Sequence, residues 1–401
     1  MTLEEFKEIM KNRGTDELVE SLKNGKIESY EIINEILKQK LSGRSPERRL
    51  VVEADKFKHI WGVTYSDISE LDLSGFSKEQ LLRMNFSLLT KWPSRDKMPK
   101  GFNPEKIIEE RKHFKGFGID KLHEKGIDGT GVTIAYIDKP FNFNHEEFKG
   151  LDLECKQTSD PEFHGTCVSA RVVGQKSGVA PKAKYVFYGK NDWLTENYKE
   201  TFVLGTIIAL EDVIKKVENG ERIDVIGESA TPFDQILFIE KNDKLKGKEL
   251  KQRYLNAIKR LEELNVTYIN SGDGFWKYGF AYAFKVDPTK DNYDLDNYVS
   301  FSVFDDCVCV QEADRVVPCA FDNTNYEYIN QMGCASYSIP QVVGLFALAK
   351  QVNKDITLEE FSSLAKETAT EANQYGVRFI NPCELIKATQ KLKEDKEEKN
   401  K

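Results

Sequence analysis

From Ile339 to Ala349 the chain carries no charged side chain. A helix that is apolar on every side has no solvent face, so a segment of this kind must be enclosed by other layers of structure. Pro340 fits only near the start of such a helix, where its missing N–H has no intrahelical partner to lose. Small residues, Gly333-Cys334-Ala335-Ser336, lead into it. The mouth of a buried helix offers unpaired N–H groups and the positive end of the dipole, which favour a developing anion. A serine placed there, Ser336 or Ser338, serves either as an N-cap or as a nucleophile.

The enclosing layers are legible upstream. Val132-Thr133-Ile134-Ala135-Tyr136-Ile137 is a β-branched run of buried-strand length that ends in Asp138. Tyr185 to Tyr188, Ile223 to Ile226 and Leu264 to Ile269 read as further strands, with helical stretches at 201–218 and 244–264 between them. This alternation predicts an α/β fold, a doubly wound and mostly parallel sheet. In such sheets functional groups collect at the carboxyl ends of the strands. Asp138 stands at one such end, as a turn former or as a site residue. His164-Gly165-Thr166 opens a run of small residues suited to a tightly packed helix, and its histidine reads as structural or chemical.

Composition narrows the function classes. Hydrophobic content of 40% and charge of 31% describe a soluble globular protein. A net charge of −8 argues against nucleic acid or an anionic membrane as the main partner. No apolar run reaches the roughly 18 residues of a membrane span, and the acidic start Met1-Thr2-Leu3-Glu4-Glu5 is not a secretory signal. Seven scattered cysteines without a C-x-x-C pair read as reduced thiols of a cytoplasmic protein. The histidines and cysteines lack zinc spacing, so neither metal nor cofactor is expected. Three regions follow: a 1–112 extension with a helical start (Leu3, Phe6, Ile9, Met10), regulatory or packing; a 113–391 domain; and a charged 392–401 tail expected to be disordered. Nothing in the sequence specifies an oligomeric state.

Taken in order, the motifs are strand-Asp138, His164-Gly165-Thr166, Gly178-Val179-Ala180-Pro181, a strand ending in Ser229, a strand ending in Gly272-Asp273, and Ser336-x-x-x-Pro340. This order resembles the subtilisin-like serine peptidase family over roughly residues 115–391. The resemblance implies a Ser-His-Asp triad hydrolysing peptide bonds through an acyl-enzyme. Ser336 would be the nucleophile, His164 the general base and acid, and Asp138 the group that orients the imidazole. The step of four residues back from Pro340 selects Ser336, whereas counting forward from Gly333 reaches Ala335 and a dead enzyme. Asp273 stands where the family has an oxyanion-hole asparagine, and it would donate only if protonated. The resemblance further implies a peptide or protein substrate added as a strand beside Ser229, Ala230 and Thr231. Asn270, Ser271, Gly272 and Gly274 would form the base of the adjoining pocket. Alternatively, the departures at Asp273 and Cys334-Ala335 point to an impaired, peptide-binding relative.

Overall fold

The computed structural model describes residues 50–51, 62–157, 159–190, 198–300, 306–312, 315–330 and 335–399. The helices expected in residues 1–42 lie outside these, as do Gly333 and Cys334. Five parallel strands form the central sheet: β1 (Thr133–Asp138), β2 (Leu153–Lys156), β3 (Lys184–Gly189), β4 (Val225–Glu228) and β5 (Thr267–Asn270). Their order is β2-β3-β1-β4-β5. Helices cover both faces, as the alternation predicts.

Pleating sorts the side chains between the two faces. Ile134, Tyr136, Tyr185, Phe187, Val225 and Ile269 pack with α1 (Phe163–Val173) and α5 (Ala335–Val352). Ala135, Ile137, Val186, Tyr188, Ile226 and Tyr268 pack with α2 (Tyr198–Glu218), α3 (Pro232–Asn242) and α4 (Lys244–Glu263). The helix expected at 244–264 is α4, and a further helix, α3, precedes it: Asp243 ends α3 and accepts the Leu245 and Lys246 N–H groups to cap α4. The last expected strand begins later than Leu264. Leu264 caps α4 and Asn265 turns left-handed (φ 57°), so pairing starts at Thr267. The all-apolar segment is buried as expected, from Tyr337 to Lys350, but α5 begins at Ala335, so Pro340 lies inside the helix and not in its first turn.

Residues 62–112 are built into the same body. Phe86–Ser87 extends a three-stranded sheet with Arg315–Pro318 and Tyr326–Ile329, over a core that joins Leu81, Leu82 and Phe86 to Val316, Tyr326 and Tyr328. At the other end the helix Pro382–Lys399 runs into the charge run expected to fray. Lys396 pairs with Glu360 of the neighbouring helix Leu358–Glu367 at 2.6 Å, which ties that turn to the body. No helix among the described residues is long and apolar enough to cross a membrane. Cys155, Cys167, Cys307, Cys309, Cys319 and Cys383 form no disulfide.

Candidate active site

Asp138 closes β1 with its side chain buried on the α1 face. Its Oδ1 accepts the Lys139 N–H at 2.7 Å and the His164 Nδ1–H at 2.6 Å. Because a carboxylate only accepts, the proton resides on Nδ1 and Nε2 is the basic nitrogen of the neutral ring. Burial by itself would lower the His164 pKa, but the charge of Asp138 and its hydrogen bond outweigh burial and raise it above the ordinary 6.5. The His164 side chain keeps 30% of its surface exposed, so the pair opens to solvent.

The residues after His164 explain how the ring reaches the strand end. A Cβ on Gly165 would lie 1.8 Å from the Lys139 carbonyl oxygen, so only glycine lets the first turn of α1 press on the chain leaving β1. Thr166 fastens that contact: its hydroxyl donates to the Glu162 carbonyl at 2.7 Å and accepts the Asn142 N–H at 3.1 Å. The His-Gly-Thr sequence is thus one residue that bonds Asp138 and two residues that seat it.

Ser336 lies in the first turn of α5, half-buried. The ring of its neighbour Tyr337 packs on the His164 ring with centroids 5.3 Å apart. The Ser336 hydroxyl is turned toward the Ser229 carbonyl at 3.5 Å, and no hydrogen bond joins it to His164 among the described residues. Ser338 is fully buried and cannot face a cleft.

Ser229 and Ala230 follow β4, and Thr231 is already the N-cap residue of α3, with Pro232 at its first turn. The expected substrate edge is therefore short. The Ala230 carbonyl accepts the Ser271 N–H at 2.9 Å, leaving the Ser229 carbonyl as the acceptor nearest Ser336. Ser271, Gly272 and Gly274 lie in a single wide turn, Ser271–Phe275, opposite that edge. A Cβ on Gly274 would meet the Ile269 backbone at 2.6 Å, and one on Gly272 would lie 3.8 Å from the Thr231 methyl. Asn270 departs from expectation. It shares the strand face of Tyr268, so it is buried toward α4 and its amide reaches the Tyr254 hydroxyl at 3.4 Å. It supports the wall from behind. The Asp273 side chain lies outside the described residues. Among those residues no group of three His, Cys, Asp or Glu side chains is arranged to hold a metal ion.

Two features at this end of the sheet were missed in the sequence. Tyr136 reaches Ser229, and Lys190, just past β3, pairs with Glu228 at 2.5 Å beneath the substrate edge. A tyrosine on the Asp138 side of a strand, facing a glycine in the next strand, is the signal that could have found the first.

No family model matches the chain. A stretch of 130 residues is 29% identical to Subtilisin-like protease 7 of Arthroderma gypseum, covering 27% of this chain and 31% of that protein. The chain thus matches less than a third of the length of that curated relative. Among solved structures, the prenylagaramide maturation protease PagA is 18% identical, covering 68% of this chain and 98% of its own, with a TM-score of 0.47. A cold-adapted subtilisin-like serine proteinase is also 18% identical, covering 64% and 90%, with a TM-score of 0.42. With its motifs in family order, an Asp138–His164 pair at the end of β1 and a short curated sequence match, the chain is similar to the subtilisin-like proteases.

Proposed function

We propose that the chain is a serine endopeptidase that acts through Asp138, His164 and Ser336. The observation that carries this reading is the 2.6 Å Asp138–His164 hydrogen bond, with Ser336 on the turn that packs against the same imidazole. In the resting arrangement Ser336 rests on the Ser229 carbonyl. A peptide entering along Ser229–Ala230–Thr231 would offer that carbonyl an N–H and displace the hydroxyl. Ser336 Oγ then turns to His164 Nε2, gives up its proton and bonds to the substrate carbonyl carbon. The imidazolium, stabilised by Asp138, returns the proton to the leaving amine as the C–N bond breaks. Water, deprotonated by His164, cleaves the resulting ester. The oxyanion would be held by the Ser336 N–H and by Asp273 as a protonated carboxyl, a donor whose loss typically costs about 10²–10³ in rate. The short edge ending at Pro232 favours a selective processing peptidase over a general degradative one. Cysteines outside disulfides favour action inside the cell.

A fluorophosphonate probe tests the reading directly. Labelling that disappears in Ser336→Ala and in His164→Ala is the expected result, and a wild-type chain that never labels rules it out. The second reading, an impaired relative that binds peptides, draws on the Ser336 hydroxyl facing Ser229 instead of His164. Peptide binding without labelling or turnover would be its signature.

A further inference from the structure

Tyr136 is fully buried in β1, on the face that carries Asp138. Its ring crosses β4 at a residue without a side chain: a Cβ on Gly227 would fall 2.4 Å from the ring. The hydroxyl thereby arrives 2.7 Å from Ser229 Oγ. Ser229 Oγ in turn donates to the Ser336 carbonyl, also at 2.7 Å. Since a carbonyl only accepts, the single Ser229 proton is committed there, and Tyr136 is the donor of the first bond. Burial holds the Tyr136 phenol well above its ordinary pKa, so this donor keeps its proton.

The Ser336 carbonyl needs an outside donor. In a continuous α-helix it would accept the N–H of the residue four positions on, and that residue is Pro340. A main-chain acceptor in a packed interface is rarely left unpaired. Pro340, inside α5, creates the vacancy, Ser229 fills it, and Tyr136 aims Ser229.

We propose that Tyr136 is a positioning residue for Ser336, fixing the first turn of α5 against the β4 end through Ser229. The proposal rests on the reading of Ser336 as the nucleophile. The chain of two hydrogen bonds ties the peptide unit of Ser336 to the sheet at the edge where substrate is expected, and so sets the direction of its side chain.

Tyr136→Phe removes the hydroxyl and keeps the ring. Its labelling by the fluorophosphonate probe, per folded molecule, is expected to slow about tenfold, the worth of one hydrogen bond near the upper end of the usual range. Ser229→Ala is expected to slow labelling at least as much. The double variant should label no more slowly than Ser229→Ala, because the phenol acts only through that hydroxyl. A phenol that merely filled the core would lower Tm and leave labelling of the folded fraction unchanged. That result, or additive effects in the double variant, overturns the proposal. A readout independent of activity separates this from the peptidase reading: carbonyl-13C serine with 15N tyrosine reports only the pairs Ser29–Tyr30 and Ser336–Tyr337. The Ser336 carbonyl resonance is expected to move in both single variants. If it stays put the proposal fails, whereas a wild-type chain that does not label removes only the peptidase reading.

Discussion

The two faces of the central sheet solve the same problem by opposite means. On the α1 and α5 face the backbone is brought close by leaving side chains out. Cβ atoms at Gly165, Gly227 and Gly344 would fall 1.8 Å, 2.4 Å and 2.6 Å from the Lys139 carbonyl oxygen, the Tyr136 ring and the Val179 side chain. On the α2, α3 and α4 face the strand ends are joined by charge. Lys190 and Glu228 form an ion pair with almost no exposure, and Thr206 and Tyr268 donate to the same carboxylate. The Lys190 ammonium also lies 3.4 Å from the centre of the Phe202 ring. The bond from the Lys190 N–H to the Asp138 carbonyl, 2.7 Å, ties the second face to the first. Close approach fixes positions to fractions of an ångström, and a saturated buried charge fixes which strand ends lie together. The chemistry proposed for this chain draws on both.

Breaking the charged side should cost most. Lys190→Met leaves the Glu228 carboxylate buried without a cation, a change worth about 3–5 kcal/mol of stability. Replacing both partners, Lys190→Met with Glu228→Leu, should recover most of that loss, because a well-packed apolar pair carries no desolvation cost. Urea unfolding of the three chains checks this, and a single variant within about 1 kcal/mol of wild type would show that the pair is not dry.

Breaking the close-packed side should instead cost activity. Gly165→Ala forces the first turn of α1 off the Lys139 carbonyl and carries His164 away from Asp138. Displacement of about 1 Å costs roughly 10²-fold in rate, against about 1–3 kcal/mol in stability for an overpacked contact. Labelling rate and unfolding midpoint, measured on one preparation, separate the two. A variant that labels like wild type would mean that α1 can seat His164 without the glycine.

The Asp138–His164 pair itself gives opposite pH trends for activity and stability. Labelling needs the neutral imidazole, so it should rise through a midpoint above 6.5. The stability contributed by the raised pKa is fully present below the unfolded value, near 6.5, and is lost as pH rises through the folded value. In Asp138→Asn the charge is gone, burial dominates, and the midpoint should fall below 6.5. A midpoint that does not move would detach Asp138 from the titration.

Much of this arrangement was legible because it is periodic or because its order along the chain is distinctive. The strand run ending at Asp138 and the burial of α5 were readable without coordinates, whereas the run read as Ile223 to Ile226 is a strand from Val225 to Glu228. The faces were harder. Asn270 read as part of a pocket, but one pleat decides whether a strand residue meets the cleft or the helix layer, and Asn270 follows Tyr268 toward α4. Lys190 and Glu228 carry no sequence signal as a pair, since a pairing across 38 positions leaves no local pattern. Tyr136 read as core, which it is. Its second role depends on Gly227 in another strand and on a proline more than two hundred positions away.

The smallest effect makes the sharpest control. Arg253 on α4 and Glu211 on α2 form a two-pronged pair at 3.1 Å and 2.9 Å, on the same face as Lys190 and Glu228 but at its outer surface. The chemistry matches the buried pair, while exposure of 36% and 45% leaves both groups hydrated before and after the bond forms. Arg253→Ala should therefore cost only about 0.2–1 kcal/mol, less at high salt, with no change in labelling. Since the helix layer is common to both pairs, a loss near that of Lys190→Met would assign the stability of this face to the α2–α4 contact as a whole. A small loss leaves burial as the variable that separates the two pairs.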